Sequence, residues 1–194
     1  MSDLFVDVSP IKMNRFRSSV ASALPFLDLS SGPLETASPL FPLSASLLRD
    51  LSNFDITPSN IEWQPADIPT GSGRLLVSAG PSAKGVRDEL ALGDPDLAEL
   101  RLLHSGKFHG SLSTTRDCLV SSNIPLLLEL ASYASYVTAL VAVGTLFAED
   151  FDARELLIPV RSVEGIQKAG ELGRVCESVG LMLNLVEVDS DEVW

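Results

Sequence analysis

The chain has 194 residues, of which 45% are hydrophobic and 21% charged, and its formal net charge is −12. That length and apolar content suffice for one packed domain and exclude a chain disordered by composition. The acidic excess excludes general nucleic-acid binding by the whole surface, and two cysteines exclude a disulfide framework.

The N-terminus lacks a secretory pattern, because Asp3 and Asp7 precede the first cations and Pro10 interrupts any apolar run. Residence in the cytoplasm is therefore expected, or in a virion if the source is viral. Residues 4–8 read as a short strand. Lys12, Arg15 and Arg17 interleave with Ile11, Met13 and Phe16. Such a pattern reads as the solvated face of a short amphipathic helix, with a nucleic-acid- or membrane-touching arm as the lesser alternative.

Eight of the twelve prolines fall between Pro25 and Pro81. Each removes an amide donor and extends the residue before it, so long helices and central strands are not expected there. Residues 1–72 read as a Pro-rich, loop-rich wrapping segment with one short helix near Ser44–Asn53, its Leu47, Leu48 and Leu51 on one side. Phe26, Phe41, Phe54 and Trp63 make it too apolar for a solvated linker. It is expected to lie across the core or across a neighbouring subunit.

Residues 73–194 read as a compact α/β core. A strand at Arg74–Ala79 runs into Gly80-Pro-Ser-Ala-Lys-Gly85, which has the position of a phosphate loop. Val86 and Arg87 stand where that loop needs Lys and then Ser or Thr, so a tight turn is expected. Lys84, Gly85 and Arg87 remain as an anion contact. A short helix is expected over Gly85–Leu92. A second is expected from the Asp94-Pro95 cap to His104, with Leu97, Leu100 and Leu103 inward, and helix or turn over residues 112–122.

Leu130–Ala148 is nineteen residues without a charge. A helix from an Asn123 cap, running Pro125–Phe147, would measure about 34 Å and could span a bilayer. Glu129 and the hydroxyls of Ser132, Tyr133, Ser135, Tyr136, Thr138 and Thr145 argue for enclosure by polypeptide. Ala131, Ser135, Ala139 and Ala142 recur on one stripe, where a neighbouring backbone can approach closely. The stripe is either ordinary intramolecular core or a subunit interface.

The last forty residues read as strand (Glu155–Val160, at a sheet edge because of Pro159), helix (from Ser162 to a stop at Gly180) and strand (Leu181–Val188). That is a C-terminal βαβ unit.

No motif carries chemistry. A zinc site would need His104, His109, Cys118 and Cys176 to converge, and a Cys118–His109 dyad has only its spacing in favour. Glu149-Asp150-Phe151-Asp152 and residues 187–192 lack the Gly and distal Glu of a calcium loop. No metal, cofactor or catalytic residue is expected.

The fold expectation is α+β, a helix-predominant mixed α/β arrangement with a long buried central helix and a small sheet. The leading functional expectation is a non-catalytic, self-associating structural or assembly protein, such as a coat, matrix or scaffold component. The alternatives are an acidic binding protein for a basic protein partner and a small enzyme with an anion site at 80–87.

Overall fold

The computed structural model describes residues 5–29, 31–64, 66–79, 87, 94, 96–126, 132–164, 166 and 168–188. In chain order the elements are α1 (Arg15–Ala23), followed by a 3-10 turn at Leu24–Phe26, then β1 (Gly32–Leu34), α2 (Pro42–Leu51) and β2 (Ile56–Pro58). There follow β3 (Gly73–Ala79), β4 (Leu97–His104), β5 (Ser111–Ser113), β6 (Asp117–Ser122), α3 (Tyr133–Phe147), β7 (Ala153–Val160), α4 (Ala169–Glu177) and β8 (Met182–Glu187).

Strands β3 to β8 form one mixed sheet in the order β5-β6-β4-β3-β7-β8; β1 and β2 form a separate parallel pair. Only β5 runs antiparallel to its neighbour. Starting at β3, the chain steps outward through β4 to β6, then crosses back over β3 to β7 and β8. The winding direction therefore reverses between β3 and β7. Residues 87 and 94, in the β3–β4 connection, contact one sheet face, while α3 and α4 pack on the other.

Helix and strand contents are nearly equal, about 31% and 29%, so the expectation of a helix-predominant fold is overturned. The residues responsible lie mainly at 97–104 and 111–122. Leu97–His104 consists largely of good helix formers and repeats Leu every third position, yet it is a strand buried between β3 and β6. Pairing on both sides outweighs propensity differences of a few tenths of a kcal/mol per residue.

The long central helix is also overturned. Ser132 is the N-cap of α3: its Oγ accepts the Ser135 amide, so the helix starts at Tyr133 and has 15 residues. At about 22 Å it falls short of the roughly 30 Å hydrocarbon layer. Among the described residues no helix is long and apolar enough to cross a membrane.

Nor does Pro159 mark an edge, since β7 pairs with β3 on one side and β8 on the other. The Val160 carbonyl bonds toward β8, accepting from the Val188 amide at 3.0 Å, so Pro159 points toward β3. The β3–β7 register ends at Leu76↔Leu157, whereas β3 pairs with β4 as far as Ala79↔Leu102. The proline therefore sits where no sheet donor is required.

The first sheet face carries Leu75 and Val77 of β3, Leu100 and Leu102 of β4, Val120 of β6, and Leu156 and Ile158 of β7, all buried. Helix α3 lies on this face with α1 outside it, and α4 covers the β8 end. The main apolar cluster runs without a break from Phe16 in α1 to Leu181 before β8. Gly180, at φ +72°, ends α4 in a conformation that costs glycine little.

The second face is different. One row across five strands reads Asp117, Glu99, Leu76, Leu157, Asn184. Leu76, Leu97 and Leu157 form a small apolar cluster, flanked by charge on both sides.

Candidate functional site

An open, mainly apolar groove of about 410 Å³ lies between the N-terminal segment, α1 and α3. Val8, Pro10 and Met13 form one wall. Ala21 and Ser22 of α1 and Ala142 of α3 form the others. The lining is mainly apolar, as ligand and partner sites are, and small residues keep it open where α1 crosses α3.

The backbone beside this groove is pinned. Asp150, just past α3, accepts the amide of Ile11 at 2.9 Å on one carboxylate oxygen and that of Lys12 at 2.6 Å on the other. Further back, Phe5 donates its amide to Asn123 Oδ1 and its carbonyl accepts the Ser122 hydroxyl. Between them Val6 forms an antiparallel bridge with Ser122, and Asp7 Oδ2 accepts the Gly110 amide. The result is a fixed strap. It holds Ile11 outward at 95% exposure, with Met13 and Phe5 also exposed.

Of the interface stripe read from sequence, Ala131 lies outside the described residues. Ser135 partners the Ser132 cap, with the two hydroxyls 2.8 Å apart. Ala139 and Ala142 are buried within the chain. Of the three described, Ala142 alone lines the groove.

Of the anion contact, Lys84 and Gly85 lie outside the described residues. Arg87 is engaged on the second sheet face, where its Nη1 is 3.3 Å from Glu99 Oε2 and 2.8 Å from Asp117 Oδ1. Arg101 makes a forked pair with Glu99 at 2.7 and 2.9 Å, and Ser78 donates its hydroxyl to Glu99 at 3.4 Å. Two cations and two carboxylates neutralise one another there. Nearby, Arg74 donates to both Asp94 and Glu155; the hydrogen bond from Arg74 holds the Asp94 carboxyl below its ordinary value and raises the guanidinium in turn.

The three cations of the N-terminal arm do not form one solvated face. Arg17 is buried, its Nε donating to the Val179 carbonyl and Nη2 to that of Pro69. Burial lowers its pKa, with Glu149 opposing. Arg15 stacks over Phe16 and lies 3.8 Å from Glu62, leaving Lys12 exposed on the strap.

No family model, curated protein or solved structure matches this chain.

The nucleophile and metal candidates stay apart. His104 Nδ1 accepts the Gly106 amide at 2.8 Å, and His109 is exposed. Cys118 faces the core and burial raises its thiol pKa; Cys176 is fully buried and pushed up to about 12. Among the described residues no three His, Cys, Asp or Glu side chains gather as a metal site.

Sequence reasoning missed the Asp150 clamp and hence the presentation of Ile11. No local signal marks a contact across 138 and 139 residues.

Proposed function

We propose that the chain is a non-catalytic, cytoplasmic protein that works by associating with copies of itself through the apolar surface of its N-terminal segment. The observation that carries this is where exposed large apolar side chains lie. Seven of the nine among the described residues fall between Phe5 and Trp63; the rest of the chain contributes Leu112 and Met182. Scattered exposed apolar residues are ordinary on any protein, but Met13 lines an apolar groove and Ile11 stands two residues from it on the pinned strap, and apolar exposure grouped in that way is the mark of an interface.

The test is the mass of the purified chain by light scattering over a concentration series at low and moderate salt. A reversible rise in mass with concentration is the expected result, steeper at moderate salt because screening relieves the repulsion between copies of charge −12. A strict monomer throughout refutes the proposal. If that monomer bound a basic protein with an affinity that fell with salt, the acidic-partner reading would take its place.

One observation favours a second reading, a small anionic ligand. The winding reverses between β3 and β7, and their pairing stops three residues before β3 ends. In open parallel sheets ligands bind outside the strand carboxyl ends at such a reversal. A rise in melting temperature with inorganic phosphate or a nucleotide, lost in Lys84→Ala, would support it; no rise with either would remove it.

A further inference from the structure

We infer that copies of this chain associate by exchanging the strap, residues 5–12 of each copy taking the seat of the other. The inference rests on the self-association reading and names the segment that crosses. The seat is an edge of β6. Strand β4 holds one side of β6 as far as Ser122, and β5 holds the other side only over residues 118–120. Past β5 the strap takes over that side, with Val6 bridged to Ser122. The Asp7 amide donates to the Ser121 carbonyl at 2.9 Å, and the Asn123 amide to that of Phe5 at 3.3 Å. Another strand would have to bring a carboxylate to the Gly110 amide and, four and five residues further on, two amides to Asp150. A second copy of the strap brings them unchanged.

The strap is built to leave as one unit. Its ties to Asn123 Oδ1, to Gly110 and to Asp150 lie at the surface, where water replaces them at little cost. Val6 and Val8 pack against the core only half-buried, and the groove separates much of the strap from α1 and α3. Lys12 makes the last tie. Asn14 already belongs to α1, capping it by accepting the Phe16 and Arg17 amides at 2.9 and 3.3 Å. Only Met13 separates the two, so rotation about its backbone swings the strap out while α1 stays in place.

Every contact of an exchanged strap is one that the closed chain already makes, so those contacts alone favour neither form. The hinge tips the balance. Reciprocal exchange carries the two Met13 hinges past each other near the two-fold axis. Ile11 and Met13, 95% and 57% exposed in the closed chain, lie at that crossing. Covering them against their own copies removes apolar surface from water, a gain that one chain by itself cannot make.

The experiment uses full-length chains. Val6 and Ser122 face each other between two flanking hydrogen bonds, a pairing that sets Cα atoms about 4.5 Å apart, within reach of a disulfide. A Val6→Cys chain and a tagged Ser122→Cys chain are mixed at high concentration and oxidised with oxidised glutathione. A covalent dimer of one chain with the other is expected, and none when the two are mixed dilute. In a chain carrying both substitutions, oxidation of the dilute monomer ties the strap to its own body. Sedimentation equilibrium should then show self-association at least tenfold weaker than wild type, restored on reduction. Ile11→Asp changes a side chain outside the core, so it folds as wild type does, and it should associate at least tenfold more weakly. Wild-type association without a mixed-chain disulfide, or undiminished association by the oxidised double variant, overturns the exchange while self-association stands. Wild-type association by Ile11→Asp overturns the hinge contact. A wild-type chain that is monomeric at every concentration overturns the parent reading as well.

Discussion

Gly144 of α3 lies against Val77 of β3 so closely that a Cβ added to the glycine would stand 2.9 Å from Val77 Cγ2 and 3.4 Å from both Leu156 methyl groups. Val77 is β-branched and fully buried, so its side chain is stiff and closely surrounded. The glycine therefore sets how near α3 comes to the sheet, and with it the height at which α1 and the groove rest above α3. Gly144→Ala gains about 1 kcal/mol of helix propensity and loses about 1–3 to overpacking, for a net change between zero and about 2 kcal/mol destabilising. Gly144→Leu has more bulk to place and loses more than the alanine variant. Urea unfolding midpoints in the order wild type, Ala, Leu are expected; a leucine variant at the wild-type midpoint would mean that α3 does not rest on this part of the sheet.

Glu99 is 3% exposed, with Arg101 and Arg87 both on its carboxylate and Asp117 completing the neutral set. Removing it alone leaves two cations beside a single remaining carboxylate. Because both arginines reach solvent in part, the cost of Glu99→Leu falls below that of a fully enclosed pair, at about 1–3 kcal/mol. Adding Arg101→Leu restores the balance, since Arg87 and Asp117 remain as a pair. The double variant is expected to unfold at higher urea than the single one. A double variant less stable than Glu99→Leu would show that the arginine contributes chiefly by packing.

The Arg74–Asp94 pair gives a pH dependence of definite sign. Hydrogen bonding from Arg74 lowers the Asp94 pKa in the folded chain. A depressed carboxyl adds stability that is fully present above its unfolded value, near 3.9, and lost as pH falls through the folded value. Asp94→Asn should therefore be less stable than wild type at pH 6, and the gap should close as both are titrated to pH 2–3. A gap that is constant over that range assigns the loss to something other than this ionisation.

What the sequence reveals of this fold follows from how local each signal is. The apolar strand at 74–79, β-branched at Val77, stops at a Gly-Pro pair, and the alternation at 181–188 follows a glycine stop, so β3 and β8 are readable within a dozen residues each. Helix α4, by contrast, begins at Ala169, seven residues after the Ser162 cap that the sequence offers. Leu97, Leu100 and Leu103 satisfy a helical repeat, while Ala98, Leu100 and Leu102 satisfy a strand repeat equally well. Only the neighbours on either side of β4 decide between them. The α3 start was legible in principle, since Ser132 followed by Ser135 is a capping spacing, but the uncharged run beyond it obscured the signal. The groove was not legible at all. Its walls come from three segments joined by packing and by one carboxylate far along the chain.

The cysteines should be silent toward reagents while the chain is folded. Cys176 is fully buried with its thiol pushed up to about 12, so at pH 8 roughly one molecule in ten thousand carries the thiolate. Cys118 is buried as well, and burial raises its pKa too. A disulfide reagent at pH 8 should titrate neither thiol rapidly in buffer and two per chain in urea, with Cys118 the faster under native conditions. Rapid native labelling of Cys176 would contradict the packing of α4 on the core.

Lys168 combines two costs that its position offsets. It adopts φ +60°, ψ +30°, which is unfavourable for any residue with a Cβ, and from there its ammonium donates to the Asp50, Leu51 and Ser52 carbonyls at 3.1, 2.8 and 3.1 Å. These are the orphan acceptors at the C-terminus of α2, where the helix dipole also favours a cation. Lys168→Ala keeps the strained backbone and loses the cap, for a loss of about 1–2 kcal/mol. Lys168→Gly loses the same cap but relieves the strain, so it should be the less destabilised of the two. That order runs against the general penalty for glycine in the unfolded chain, which makes it diagnostic. An alanine variant more stable than the glycine one would mean that the left-handed conformation is not held in solution.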